Sequence, residues 1–589
     1  MKTIIGIAIP VFANLLAWAE AGSSLQRATA VTPADIALAA TGAAAHVAQL
    51  TALIAPNVTT TVSGSTTTVG EYLTSKMLSS TALYNIRANV GLISDASSTE
   101  TVFDRDAGLV FVTTGEPIPR NNHSNRDATT VRTGPNVDGG MWQRDSSAQM
   151  HYYVIAAREL LRGKAHAAEG VALVRVVASL LRNHAKLILL DSWANAFHAA
   201  PKLERSADRH MRRGGYVQTG NYEPDGLASI IILAHDLWQT VATVNPAVVG
   251  PEAHAALGAI VADLFDWTFK LALEKVVIQV RQEQAHALSS YFYIQSDGEF
   301  GANGTLPGCV HFTDDSARAF DDKICGHGTK VDAGNGMTWG GFRPSDDVYA
   351  YGYNVPVNML LSIAMRRAAA LANDTALFGG GADPELAAVA ATIADEIDAG
   401  IMNAAVVEID GGGTGGTTQI FAYEVDALGN VNLMDDANLP NLLAAPWLGG
   451  GWEMVTKEGI CTSCPIMAAT RRWVKTQSKY WHSGACGEGL GSPHTSMEGN
   501  GIWHLGLLSQ LATARTNATE LADVLHLLAA TDCNTGLLHE AFDASNSCQF
   551  TRPTFGWPNS LFAEIVTELA AEGRLTKEVL GRKRIVCKE

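Results

Sequence analysis

No cysteine precedes Cys309 in a chain of 589 residues. The eight present (Cys309, Cys325, Cys461, Cys464, Cys486, Cys533, Cys548 and Cys587) lie in the second half. In an oxidising compartment they allow at most four disulfides, whose pairing the spacing leaves open. Positive charge is also scarce. With 42 basic against 59 acidic residues the net charge is −17, so nothing electrostatic favours nucleic acid or an acidic membrane surface. There is no HExxH and no D-x-D-x-D-G loop, and no second CxxC or His pair completes "CTSC" as a zinc site. Neither a metal nor a cofactor is therefore expected.

Long apolar runs are missing beyond the N-terminus, where "MKTIIGIAIPVFANLLAWAEAGSS" places one lysine, an apolar stretch from Ile4 to about Leu16, and then Ala17, Ala19 and Ala21. That order of charge, short apolar core and small residues is that of a cleavable secretory signal. Residues 1–21 are read as the signal, 22–589 as one catalytic domain, and the protein as secreted or luminal, with no membrane contact after cleavage. Sequons at Asn57, Asn122, Asn303, Asn373 and Asn517 agree with export.

What the chain does have is helical periodicity. Leu227, Ile230, Ile231, Ala234, Leu237, Trp238 and Val241 recur at i, i+3, i+4, i+7, as do Met150, Tyr153, Val154, Ala157, Leu160 and Leu161. The same spacing returns at 173–181, 357–371 and 561–569, and Asp383-Pro384 reads as a helix N-cap and first residue. Strand alternation is confined to "TVFDRDAGLVFVTTG" and "IFAYEVDALGNVNLM", each read as a hairpin, while "NVTTTVSGSTTTV" and "GGGTGGTT" read as solvated loops. An all-α toroid of paired helices fits this pattern, and a helical solenoid fits it nearly as well.

Three stretches combine acids with aromatics where a loop meets a helix. In "FRPSDD" the adjacent Asp346 and Asp347 must diverge by about 100° on a helix or 180° on a strand, so one can react while the other supports. The bland alternative is a helix start at Pro344 and Ser345. "GGMWQRDSSAQMHYY" brings together Trp142, Arg144 and Asp145. An Arg–carboxylate fork can grip vicinal sugar hydroxyls while an indole covers the C–H face, or the pair can simply pin a helix start. "GLLHEAFDASNSCQFTRPTFGWPNSLF" contributes Glu540. Glycoside hydrolysis needs two carboxyl groups, one protonated and one ionised, and these stretches supply candidates for both.

"GMTWGGFRPSDDVYAYGYNVPVNM" resembles the Trp-x-x-Phe-Arg-Pro-Ser-Asp-Asp motif of glycoside hydrolase family 125, the metal-independent exo-α-1,6-mannosidases. "MWQRDSSAQ", "FAYEVDALGNVNLMDDANLPNLLAAPWLG", "GLGSPHT" and "HEAF…TRPTFGWPNSLF" resemble its other motifs, in family order from about residue 100 to about 570. The resemblance implies an (α/α)6 barrel with short β-hairpins in the loops, a mannose-containing oligosaccharide as substrate, and an inverting mechanism. It assigns the general acid to Asp346, with Asp347 as second choice, and the base to Glu540. The separation expected for inversion is about 6.5–9.5 Å. It further implies that Arg144, Asp145, Trp339, Arg343 and His494 hold the terminal mannose, with Trp142 and Asp436 as weaker candidates. Gln143 and Asn221 stand where the family has an apolar residue and a lysine, and the loop between His494 and Trp503 is two residues longer. The other readings are a glucoamylase-like or trehalase-like inverting barrel enzyme and a catalytically silent sugar-binding homologue. Nothing in the sequence bears on oligomeric state.

Overall fold

The structure is a computed structural model describing residues 27–59, 67–92, 108–110, 141–197, 216–291, 293–294, 325–326, 328–379, 381–410, 416–450, 464–494, 497–553 and 555–587. The signal sequence, Asn122 and Asn303 lie outside the described residues. Helix starts follow local chemistry. Thr32 accepts from the Asp35 amide and Asp35 reciprocates, opening Pro33–Ile54 as a capping box. The Asp383 side chain accepts from the Leu386 amide with Pro384 at the first helical position, as the sequence predicts.

Six helices form an inner ring: α1 (Gln143–Leu160), α2 (Pro224–Ala242), α3 (Val355–Ala372), α4 (Cys464–Gln477), α5 (His504–Thr513) and α6 (Gly556–Ala571). Helix α1 packs on both α2 and α6, α2 on α3, and α6 on α5. The last helix therefore returns to the first, which a solenoid does not do. Helix α4 turns Met467, Ala468 and Arg471 to the same interior as the other five. Outer helices cover the ring: Pro33–Ile54 and Trp267–Glu283 lie against Ala167–Leu190, which packs on α1; Pro384–Ala404 lies against α3, and Ala518–Thr531 against α5. The architecture is an (α/α)6 barrel.

The apolar positions predicted from periodicity are those that pack. Leu227, Ile230, Ile231, Ala234 and Leu237 of α2 are buried, as are Met150, Tyr153, Val154, Ala157 and Leu160 of α1. Pro33–Asn57 and Val355–Ala372 are long and apolar enough to cross a bilayer, yet the first packs on Ala167–Leu190 and the second is an inner barrel helix. Midway through the ring, His151 of α1 bridges Asp236 of α2 and Glu564 of α6 at 2.9 Å each, and Arg367 of α3 reaches Asp236 at 2.6 Å. Charges on four inner helices thereby fix their relative rotation.

Short antiparallel sheets sit in the loops. Glu424–Val425 pairs with Val431–Asn432, the hairpin predicted in "IFAYEVDALGNVNLM", and also with Tyr353–Asn354. The other predicted hairpin, at 101–115, lies outside the described residues except for Gly108–Val110, which pairs with Val90–Leu92 upstream. The "GGGTGGTT" loop joins two strands, Val406–Asp410 and Thr417–Phe421, that the sequence reading missed. Two disulfides join described residues, Cys486–Cys587 and Cys533–Cys548.

Candidate active site

The N-terminal ends of several inner helices converge at one end of the barrel, and loop sheets place side chains over them. Met141–Trp142 pairs with Ala196–Phe197, which pairs with Val217–Thr219. This small sheet sets Trp142 at the N-cap of α1, with Arg144 and Asp145 in its first turn. Glu223 is the N-cap residue of α2 and Asp225 lies in its first turn. Gly501–Trp503 pairs with Ala541–Asp543, and the His504 amide donates to the Glu540 carbonyl. Phe555 caps α6 and Trp557 follows in its first turn. Helix N-termini carry partial positive charge, which favours carboxylates gathered at this end.

"FRPSDD" is not a helix start. The Arg343 amide donates to the Asp347 carbonyl at 2.6 Å and the Asp346 amide to the Arg343 carbonyl at 2.9 Å, folding the segment into a tight turn. Asp346 adopts φ 67°, a left-handed conformation costly for a residue with a Cβ and tolerated here because the turn is pinned on both sides. Arg343 does the pinning: its Nε and Nη2 donate to the two carboxylate oxygens of Glu424 at 2.6 and 3.0 Å. Glu424 also accepts from the Ala350 amide and Asn432. The two aspartates then diverge, as adjacency requires. Trp142 Nε1 and Asn195 Nδ2 donate to Asp346 Oδ1 at 3.2 and 3.3 Å, whereas Asp347 Oδ1 lies 3.2 Å from His494 Nδ1. That contact raises the His494 imidazole above its ordinary pKa against the opposing effect of burial.

Asp346 and Glu540 line one narrow hollow. Trp142, Arg144, Asp145, His494, Trp503 and Trp557 also line it. Glu540 accepts from the Thr551 hydroxyl at 3.0 Å and pairs with Arg552 at 3.2 Å. Arg144, buried beneath, donates to Glu223 (2.6 Å), Asp145 (3.0 Å) and Asp225 (3.4 Å), and its guanidinium lies 5.2 Å from the Trp557 ring centre. In "MWQRD", Arg144 and Asp145 form a buried pair at a helix start, and both face the hollow. A larger cavity of about 870 Å³ lies behind the Arg144–Trp557 layer. Neither proposed catalytic carboxylate lines it, so its size does not make it the reactive centre.

Three residues expected to hold the sugar are placed differently. Trp339 is fully buried, its indole stacked on the His286 ring at 3.6 Å and its Nε1 bonded to the Thr329 carbonyl, and it does not line the hollow. Arg343 is committed to Glu424 and shapes the turn. Asp436 is fully buried, and its Oδ1 accepts from the backbone and side-chain amides of Asn438, which does line the hollow. The sequence reading had not singled out Asn195, Glu424, Asn438, Trp503, Arg552 or Trp557 as site residues. Arg552 and Trp557 stood inside a quoted motif, but nothing local marks Asn195, which reaches the site through strand pairing.

The chain matches the family model described as metal-independent alpha-mannosidase (GH125) over residues 118–567. It is 26% identical over 448 residues to the Meiotically up-regulated gene 157 protein of Schizosaccharomyces pombe, covering 73% of this chain and 74% of that protein. A solved metal-independent alpha mannosidase of Streptococcus pneumoniae, in a non-productive complex with alpha-1,6-mannobiose, superposes with a TM-score of 0.56 at 29% identity, covering 73% of this chain and 86% of the other. The order of helices, the paired carboxyls in one hollow and the span of the family match lead to one assignment: the chain belongs to the metal-independent alpha-mannosidase family GH125.

Proposed function

We propose that this protein is an exo-acting α-1,6-mannosidase, working outside the cell or along the secretory route, that removes non-reducing terminal mannose from N-glycans or mannan with inversion and without a metal. The observation that carries this reading is the placement of Asp346 and Glu540 on the wall of the same small hollow, with indoles beside them. Asp346 gives its proton to the interglycosidic oxygen as the C1–O bond breaks. Glu540 takes a proton from the water that attacks C1 from the opposite face, so one water is consumed and both fragments leave neutral. Trp142, Trp503 and Trp557 offer apolar faces to sugar C–H groups. The alpha-1,6-mannobiose bound by the Streptococcus pneumoniae protein supports the linkage.

The test is mannose release from α-1,6-mannobiose beside its α-1,2 and α-1,3 isomers and an α-glucoside, with EDTA present, followed by NMR from the first turnover. The expected result is selective cleavage of the α-1,6 linkage with β-mannose appearing first. Loss in EDTA, a preference for the glucoside, or early α-mannose each contradicts the reading.

A further inference from the structure

Behind the proposed acid lies a third carboxyl, Glu223, which stands in the "GNYEPDGL" run and has no part in the two-carboxyl mechanism. Glu223 Oε1 accepts from Asn195 Nδ2 at 2.8 Å, and the same nitrogen donates to Asp346 Oδ1 at 3.3 Å. One amide group thus bridges the two acids. Asn195 is itself held: its Oδ1 accepts from the Thr219 hydroxyl at 2.5 Å and its carbonyl from the Gln143 amide at 3.0 Å. On the far side, Glu223 Oε2 accepts from Arg144 at 2.6 Å.

We propose that Glu223 is a positioning residue for the acid: Glu223 and Asp346, bridged by Asn195, hold one proton between them, and Arg144 anchors the pair from behind. This rests on the reading of Asp346 as the proton donor.

The charges facing Glu223 make a proton necessary. Arg144 and Asp145 come from α1, Asp225 from the first turn of α2, and Asp346 from the 343–348 turn; Asn195, Tyr222 and Tyr349 are the neutral neighbours. Four carboxyls therefore surround one buried guanidinium, with Arg552 acting on Asp145 from the rim. Buried charge of one sign without a counter-ion is relieved by taking up a proton. Burial and then the Asp346 charge hold the Glu223 carboxyl well above the usual range, against the pull of Arg144. Because two N–H groups point at Asp346 Oδ1, a proton on Asp346 belongs on Oδ2. Loss of that proton to the leaving oxygen leaves the pair with two negative charges, which draws a replacement proton from solvent for the next turnover.

The experiment is the pH dependence of kcat on α-1,6-mannobiose for the wild type, Glu223→Gln and Asn195→Ala. It is run in parallel with α-mannosyl fluoride, whose leaving group needs no protonation. Removing the Glu223 charge should move the alkaline limb on mannobiose down by about one pH unit. Removing the Asn195 donor, which favours the ionised pair, should move it up. Neither variant should shift the limb on the fluoride. Opposite displacements are not produced by general loosening of the site, and should Glu223→Gln fail to fold, the upward shift in Asn195→Ala still decides. Unmoved limbs in the folded variants, or limbs moving together on both substrates, would overturn the pairing. Asp346→Asn separates the two readings: hydrolysis of the fluoride with mannobiose turnover reduced by about 10²–10⁴-fold keeps Asp346 as the acid whatever Glu223 does. Equal losses on both substrates would remove both readings.

Discussion

The indole nitrogen of Trp142 donates to Asp346 Oδ1 at 3.2 Å, tying the start of the first inner helix to the turn that carries the proposed acid. Trp142→Phe keeps an aromatic face and removes the donor. A hydrogen bond of this kind is worth about 1 kcal/mol net, so kcat on α-1,6-mannobiose should fall by roughly fivefold to tenfold with a smaller change in KM. An unchanged kcat would mean that the contact does not orient the acid.

Glu540→Gln preserves shape and the contact with Thr551 while removing the water-activating charge. Turnover should drop by about 10²–10⁴-fold, with mannose binding retained by calorimetry. Near-normal activity would require another base.

The charged link across the inner ring predicts a pH-dependent stability. Burial alone would lower the His151 pKa, but Glu564 and Asp236 outweigh it and push His151 up to about 10. A group whose pKa rises on folding stabilises fully below its unfolded value of about 6.5 and loses that contribution as pH climbs towards 10. Asp236 behaves oppositely: it is held well below the ordinary range despite burial, by His151, His235 and Arg367, and its contribution disappears as pH falls below the usual carboxylate range. Glu564 is raised, because burial outweighs its attraction to His151. His151→Ala should cost about 1.5–3 kcal/mol near neutral pH, as expected for losing charged hydrogen bonds at a half-buried site. Its denaturant midpoint should also change less between pH 7 and 10 than that of the wild type. Parallel midpoints would exclude His151 as the titrating group.

Cys486–Cys587 ties the C-terminal segment to the Gly487–Leu490 hairpin across 101 residues. Loop-closure entropy for a span of that size is worth roughly 4–5 kcal/mol. Paired Cys486→Ser and Cys587→Ser substitutions should lower the unfolding midpoint accordingly, with thermal denaturation as the measure.

The helices were legible because burial on one face of a 3.6-residue repeat leaves a local trace, seen in Leu227 to Val241 and Met150 to Leu161. The hairpin at 424–432 was legible from its turn and its strand-forming neighbours. Strand partners were less so: Val90–Leu92 finds Gly108–Val110 through long-range pairing, which no short window encodes. At the site, "FRPSDD" announced that its two acids must diverge, but not that Asp346 would turn to Trp142 and Asp347 to His494. Trp339 carries the same motif signature whether it faces a ligand or His286. Its burial is decided by chain from elsewhere.

By itself, then, the sequence determined the helical class, the family and the two carboxyls proposed for catalysis, because each is written in contiguous residues. Ring closure, the shared hollow, the commitment of Arg343 to Glu424 and the Asn195 bridge to Glu223 were settled only in three dimensions. The reason is physical: those relationships depend on where separate helix ends and strands meet, and that is set by the packing of the whole barrel.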